Sequence, residues 1–151
     1  MKIYNRRARY DYQILETIEV GISLTGAEVK AIRAGRADIN RAYARIIGGE
    51  AFLINSIIGT EDKSDESRRT RKLLLHKEQI VSLESKLKAK KLTLVPIKLY
   101  NKRSLRPGGQ KGSLFKLELG LGRSKRKFEK KEAIKRRDIE RETEREFRNK
   151  E

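Results

Sequence analysis

The sequence predicts a mainly β protein: a small antiparallel barrel or sandwich with short flanking helices and a charged C-terminal tail. Five segments have the residue pattern of strands, whereas only two have that of helices. The 151 residues suffice for one domain. Apolar residues make up 36% of them, below the ~45–50% usual for a globular domain. We therefore expect a barrel domain over residues 1–122 and a tail over 123–151 that stays outside the core.

A strand and a capped helix open the predicted domain. Residues 12–20 alternate loosely between apolar and polar types and are rich in β-forming residues, which predicts a strand. The Thr25 hydroxyl can accept from the Glu28 amide while the Glu28 side chain reaches back, as in a capping box. A short helix over 26–34 follows, and Gly35 ends it.

A hairpin and a loop come next. Residues 42–47 and 51–54 are apolar, β-rich runs on either side of Gly48 and Gly49, so they predict two strands joined by a tight turn. The segment 59–67 is polar and is predicted to be a loop.

The second half of the domain contains one helix and two strands. Residues 76–87 place apolar side chains at helical spacing. Residues 92–100 alternate as a strand, in which Pro96 indicates an edge position or a bulge. A turn or loop is predicted over 106–112, and residues 114–121 alternate as the last strand.

The tail is basic first and slightly acidic last. Residues 123–137 carry nine Lys or Arg and two Glu, whereas residues 138–151 carry four basic and six acidic residues. Its apolar residues are too few to offset the ordering of about thirty residues, at ~1–2 kcal/mol each. We therefore predict a tail that is disordered alone and helical on a partner, the alternative being a merely solubilising charged segment.

The composition argues against an enzyme. The chain has no cysteine, and His76 is its only histidine, so disulfides, thiolate nucleophiles and two-histidine metal sites are excluded. No catalytic constellation stands out, and we expect no cofactor; a helix-terminus or packing role explains His76 better. No apolar run approaches the ~20 residues of a membrane span and no secretory signal is present, which favours a cytoplasmic protein without a membrane partner.

The charge favours RNA as the partner. The formal net charge is +17, and clustered arginines and lysines attract polyanions. Tyrosines interleave with the first basic cluster and can stack on unpaired bases, although Tyr12 could equally fill the barrel.

Several blocks of the sequence, in order, resemble the small protein B family of SsrA-binding proteins, from Asn5 to about Arg137. The blocks are residues 5–12, 16–22, 24–30, 33–35, 49–53, 69–77 and 93–100.

The resemblance implies an OB-fold-type barrel that binds the tRNA-like domain of tmRNA and has no chemistry of its own. It implies delivery with elongation factor Tu and GTP to stalled ribosomes for trans-translation. The tail would enter the empty decoding centre and mRNA channel and become helical there. We expect a monomer. A general ribosomal or ribosome-assembly protein is the alternative, and an RNA-processing enzyme a weaker one.

The candidate site residues combine the basic clusters with positions that match the family. The RNA-binding candidates are Asn5, Arg6, Arg7, Arg9, Tyr10, Tyr12, Glu19, Arg71, Lys72, Leu74 and Lys116. The ribosome-contacting candidates in the tail are Arg123, Lys125, Arg126, Lys127, Phe128, Glu129, Lys130 and Lys131. The resemblance implies that Lys116 meets phosphate, that Asn5 and Glu19 bond hydroxyls or base edges, and that Leu74 packs on a base or sugar. A core role for Leu74 and an arginine salt bridge for Glu19 are the rival interpretations.

The chain also departs from the family. Tyr10 and Phe128 stand where many members have histidine, so stacking is expected to survive and titration is not. The 59–67 loop is short, and 104–112 has the character of an insertion.

Overall fold

The computed structural model describes residues 2–59, 64–105 and 111–125, and the single positions 139 and 141. Within them, the strands are β1 (Lys2–Tyr4), β2 (Tyr12–Ile22), β3 (Ala37–Asp38), β4 (Tyr43–Ile47), β5 (Glu50–Ile54), β6 (Ile57–Ile58), β7 (Arg71–Leu74), β8 (Thr93–Leu105) and β9 (Lys111–Ser124). The helices are α1 (Ala8–Asp11), α2 (Gly26–Arg33), α3 (Ser64–Ser67) and α4 (Lys77–Lys90).

One antiparallel sheet organises the chain. Its seven strands run in the order β1-β8-β9-β2-β7-β5-β4, and β3 pairs with β6 in a separate ribbon. The sheet curls so that β4 contacts β8, but no ladder closes the barrel among the residues described. The mainly β, OB-type fold class predicted from the sequence is confirmed, as an open barrel.

The inner face of the curled sheet forms the core. Alternate strand residues point inward, since strand side chains alternate between faces. The most buried are Val20, Leu53, Leu73, Leu99, Leu117, Leu119 and Leu121. A smaller cluster of Ala8, Val95 and Ile97 lies apart from this core, with Tyr12 and Ile14 packed against it.

Most predicted elements are present, with adjusted ends. The capping box forms, because Thr25 Oγ1 accepts from the Glu28 amide and Glu28 Oε1 accepts from the Thr25 amide. Helix α4 runs three residues beyond the predicted end, to Lys90. Pro96 lies at a bulge in the ladder between β8 and β9, so the bulge interpretation is confirmed. Strand β8 is an inner strand of the sheet, but its ladder with β1 covers only Lys98–Tyr100 and does not reach Pro96.

Other predictions need correction. The predicted 59–67 loop contains the short helix α3, whereas 60–63 lie outside the described residues. Strand β9 continues through Ser124, so Arg123 of the predicted tail belongs to the sheet. The tail candidates Arg126, Lys127, Phe128, Glu129, Lys130 and Lys131 lie outside the described residues.

In the described part of the chain, no helix is long and apolar enough to cross a membrane.

Candidate nucleic-acid interface

The outer face of the sheet places residues from four strands in one row. Lys116 of β9 pairs with Tyr100 of β8 on one side and with Gly21 of β2 on the other. Gly21 in turn pairs with Leu74 of β7. Neighbouring strands lie ~4.8 Å apart, so these residues are close together although they are far apart in sequence.

A cleft opens beside this row. It has a volume of ≈ 430 Å³, and Glu19, Lys72, Leu74 and Lys116 line it. All four are RNA-binding candidates from the sequence, and the fold brings them to one place. We call it the Lys116 cleft.

Leu74 lies on the surface of the Lys116 cleft. Its side chain is 55% exposed, whereas the preceding Leu73 is buried in the core. Gly21 makes room for it, because a Cβ there would stand 3.2 Å from the Leu74 Cβ. A core role for Leu74 is therefore excluded, and its apolar surface faces the cleft.

Glu19 is held in place by two donors. The Tyr100 hydroxyl donates to Glu19 Oε2, and Lys102 Nζ donates to Oε1 at 3.0 Å. The Tyr100 hydrogen bond, followed by that of Lys102, lowers the pKa of Glu19 and outweighs the opposing effect of desolvation. Desolvation and Glu19 raise the pKa of Tyr100, which keeps its hydroxyl a donor. Glu19 thus presents a fixed carboxylate, and its ion-pair partner is a lysine instead of the arginine that the rival interpretation named.

The N-terminal candidates form a second group around α1. Asn5 Nδ2 donates to the Pro96 carbonyl at 2.8 Å, and Asn5 Oδ1 accepts from the Arg7 amide at 3.2 Å. Asn5 therefore attaches the turn between β1 and α1 to strand β8. Around that turn Arg6, Arg7 and Arg9 are exposed.

The two tyrosines of this group differ in exposure. Tyr10 is 40% exposed, whereas Tyr12 is half-buried against the cluster that contains Ala8. Packing inside the domain thus covers much of the Tyr12 ring, whereas the Tyr10 ring is more accessible for stacking on a base.

The two groups lie toward opposite ends of β2. Seven residues separate Tyr12 from Glu19, which corresponds to about 23 Å along a strand. The start of the tail lies with the N-terminal group, because the Lys125 amide donates to the Asp11 carbonyl at 2.9 Å. Lys125 Nζ also donates to the Arg9 carbonyl at 2.8 Å. The chain therefore leaves the sheet beside the N-terminal arginines.

Arg71 does not belong to the interface. Its side chain is 0% exposed, and its Nε bonds Glu28 Oε2 inside the domain. The prediction that Arg71 contacts RNA is wrong, because it lies on the inner face of β7 while Lys72 and Leu74 lie on the outer one.

Sequence reasoning missed several residues of the Lys116 cleft. His76 and Gln79 line it from the start of α4, and Tyr100 and Lys102 hold Glu19. Continuing the alternation of Tyr100 past the predicted end of its strand would have placed Lys102 on the same face. Nothing in the sequence marks His76 or Gln79, since they reach the cleft through tertiary packing.

An open OB-type barrel with cationic, apolar and carboxylate groups in one cleft places the protein in the OB-fold class. Comparison with known proteins narrows this class. A family model described as SmpB protein matches residues 2–149. The chain belongs to the SmpB family.

The sequence match between this chain and its relatives extends over nearly the whole length of both. The SsrA-binding protein of Gloeobacter violaceus is 45% identical over 148 residues, covering 95% of this chain and 91% of that protein. The SsrA-binding protein of Chlorobaculum tepidum is 44% identical over 144 residues, covering 92% and 86%. A solved tmRNA-SmpB structure concerned with the center of the bacterial ribosome has a TM-score of 0.60 and 42% identity, covering 88% of this chain and 94% of that chain.

Proposed function

We propose that this chain binds the tRNA-like domain of tmRNA and delivers it to stalled ribosomes for trans-translation. The observation that carries the proposal is the Lys116 cleft, where Glu19, Lys72, Leu74 and Lys116 meet in a member of the SmpB family. Relatives named SsrA-binding proteins and a tmRNA-SmpB structure support it.

The side chains of the cleft suit a folded RNA. The Lys72 and Lys116 ammonium groups are point charges for phosphates, and the exposed Leu74 can pack on a base or sugar. Glu19 is a fixed acceptor for a base amino group or for a 2′-hydroxyl, and the 2′-hydroxyl contact would select RNA over DNA.

The N-terminal group and the tail extend this function. Arg6, Arg7 and Arg9 meet phosphates of the same RNA, and the Tyr10 ring stacks on an unpaired base. The tail, which starts beside Arg9, enters the empty decoding centre and mRNA channel and becomes helical there.

The remaining parts of the proposal concern partners. Elongation factor Tu with GTP joins the complex through the tmRNA. The chain contributes no reaction of its own. The protein acts as a monomer in the cytoplasm, where its ribosomes are.

A competition experiment tests the proposed function. The tRNA-like domain of tmRNA and a plain RNA duplex of equal length are compared as ligands at physiological salt. We expect tighter binding of the tRNA-like domain. Equal affinities would contradict the proposal, and co-sedimentation with ribosomal subunits lacking tmRNA would favour a general ribosomal protein.

A further inference from the structure

The outer face of β4 and β5 carries apolar side chains and the cation Arg45, which the proposed function leaves unused, with the acid Glu50 opposite Ile47 at one end. Tyr43, Arg45 and Ile47 project from β4, and Phe52 and Ile54 project from the paired strand β5. Their neighbours Ala44, Ala51 and Leu53 are buried on the inner face, which fixes this orientation. We call this set of five residues the β4–β5 face.

The β4–β5 face is accessible. Tyr43 is 42% exposed and Ile47 is 55% exposed. Among the described residues, the exposed Arg45 guanidinium has neither an ion-pair nor a hydrogen-bond partner. Exposed aromatic and aliphatic side chains together with a free cation mark an interaction surface.

The register places aromatic rings and cations next to each other. Phe52 pairs with Arg45 on one side and with Lys72 on the other. Tyr43 is diagonal to Phe52, since it pairs with Ile54, and such neighbours lie ~7–8 Å apart. Lys72 contacts Glu50 Oε1 at 3.3 Å and lines the neighbouring Lys116 cleft, so Arg45 is the cation that belongs to the β4–β5 face itself.

We propose that the β4–β5 face binds a segment of unpaired RNA. Base faces stack on the Tyr43 and Phe52 rings, and Arg45 pairs with the phosphate between them. Unpaired bases offer the π-faces that aromatic side chains on a sheet recognise, whereas a duplex hides them. A second copy of this chain is disfavoured as the partner because each copy carries a net charge of +17.

The inference does not rest on the proposed function. The β4–β5 face adjoins the Lys116 cleft through Lys72 but uses other residues. Binding of the tRNA-like domain therefore tests the proposed function, whereas binding of a short oligouridine tests this face.

Photo-crosslinking of the full chain to an oligouridine that contains 4-thiouridine tests the inference. We expect adducts on Tyr43 and Phe52, mapped by mass spectrometry. Adducts confined to the Lys116 cleft, the N-terminal arginines or the tail would overturn it. So would capture of protein without RNA by a photoreactive side chain placed at Ile47 in the ribosome-bound chain.

Affinity measurements on variants give a second test. Tyr43→Ala should lower oligouridine affinity about tenfold and Tyr43→Phe should retain it, because the ring and not the hydroxyl stacks. Arg45→Gln should lower the slope of log affinity against log salt by about 0.7. Lys88→Gln removes the same charge on the exposed side of α4 and is the matched control for Arg45→Gln. It should leave both the salt slope and the crosslinked adducts unchanged. Equal slopes for Arg45→Gln and the unmodified chain would overturn the inference.

Discussion

The Arg71 guanidinium lies inside the domain, yet acceptors surround it. Its Nε bonds Glu28, its Nη1 donates to the Ser56 carbonyl at 2.9 Å, and its Nη2 donates to the Ser67 carbonyl at 3.0 Å. One side chain therefore joins β7 to α2, to the turn before β6 and to α3. A fully buried cation is tolerated because its charge and its donors are satisfied.

Loss of this guanidinium should cost more stability than loss of an exposed neighbour. Arg71→Met should lower the free energy of unfolding by about 3–5 kcal/mol, since it leaves buried acceptors and part of the Glu28 charge unpaired. Arg69→Met should cost less than about 1 kcal/mol, because Arg69 is 42% exposed in the same cluster. Urea unfolding measures both, and similar losses would contradict a structural role specific to Arg71.

The Glu28 carboxylate should make the stability depend on pH. Burial alone would raise its pKa, but the Thr25 amide and the two arginines outweigh burial, so its pKa is lowered. The unfolded chain then takes up this proton first as the pH falls below the ordinary value of 4.5. Stability is thus fully present above that pH and lost as the pH falls through the folded pKa. Glu28→Gln should remove this part of the loss of stability at low pH, as measured by urea unfolding at several pH values. An unchanged dependence of stability on acid pH would contradict the role assigned to Glu28.

Lys116 and Glu19 should affect RNA binding differently. In the proposed function Lys116 contacts a phosphate, so Lys116→Ala should lower the slope of log affinity against log salt by ~0.7–0.9. Glu19→Gln should weaken binding of the tRNA-like domain without lowering that slope, because the proposed partners of Glu19 are hydroxyl or amino groups and not phosphates. Titration at several salt concentrations measures both. A lower slope for Glu19→Gln, or an unchanged one for Lys116→Ala, would contradict these roles.

At the scale of elements, alternation and capping predicted the parts of the fold with strong local patterns. Strands β2, β4, β5, β8 and β9 and helices α2 and α4 were all predicted. Strand β7 was missed because an inward arginine, Arg71, and an outward leucine, Leu74, reverse its expected pattern. Strand β1 has three residues and exists through its pairing with β8, which local sequence does not encode.

The site was predicted only in part for the same reason. The sequence, through its resemblance to the family, pointed to Glu19, Leu74 and Lys116. It did not show that Tyr100 positions Glu19 or that His76 lines the same cleft, since those contacts depend on strand register and on the packing of α4.

The close approach of β2, β8 and β9 should make Gly120 sensitive to substitution. A Cβ at Gly120 would meet Ile97 Cδ1 at 2.8 Å and Ile14 Cγ2 at 3.0 Å. Gly120→Ala should therefore lower the free energy of unfolding by about 1–3 kcal/mol through overpacking. Gly26→Ala is the control, because a Cβ there meets nothing within 4 Å. Thermal or urea unfolding measures the stability of both variants. Equal stability of the two would contradict the packing described.

At the scale of the whole molecule, the Lys116 cleft is separated along the sheet from the N-terminal group and the root of the tail, which lie together. The Lys116 cleft lies toward one end of β2, whereas Lys125 is held by Asp11 and Arg9 at the other end. The cleft and the residue from which the tail starts therefore lie at different places on the sheet. We infer a division of labour between a folded domain that recognises tmRNA and a tail that acts on the ribosome.

Truncation after Lys125 tests this division most directly, because it keeps all of β9 and the contacts of Lys125. Binding of the tRNA-like domain and tagging of nascent chains on stalled ribosomes are measured for the full and the truncated chain. The account predicts that the truncated chain binds the tRNA-like domain within a few-fold of the full chain and supports no tagging. Tagging by the truncated chain, or loss of tmRNA binding while the domain stays folded, would contradict it.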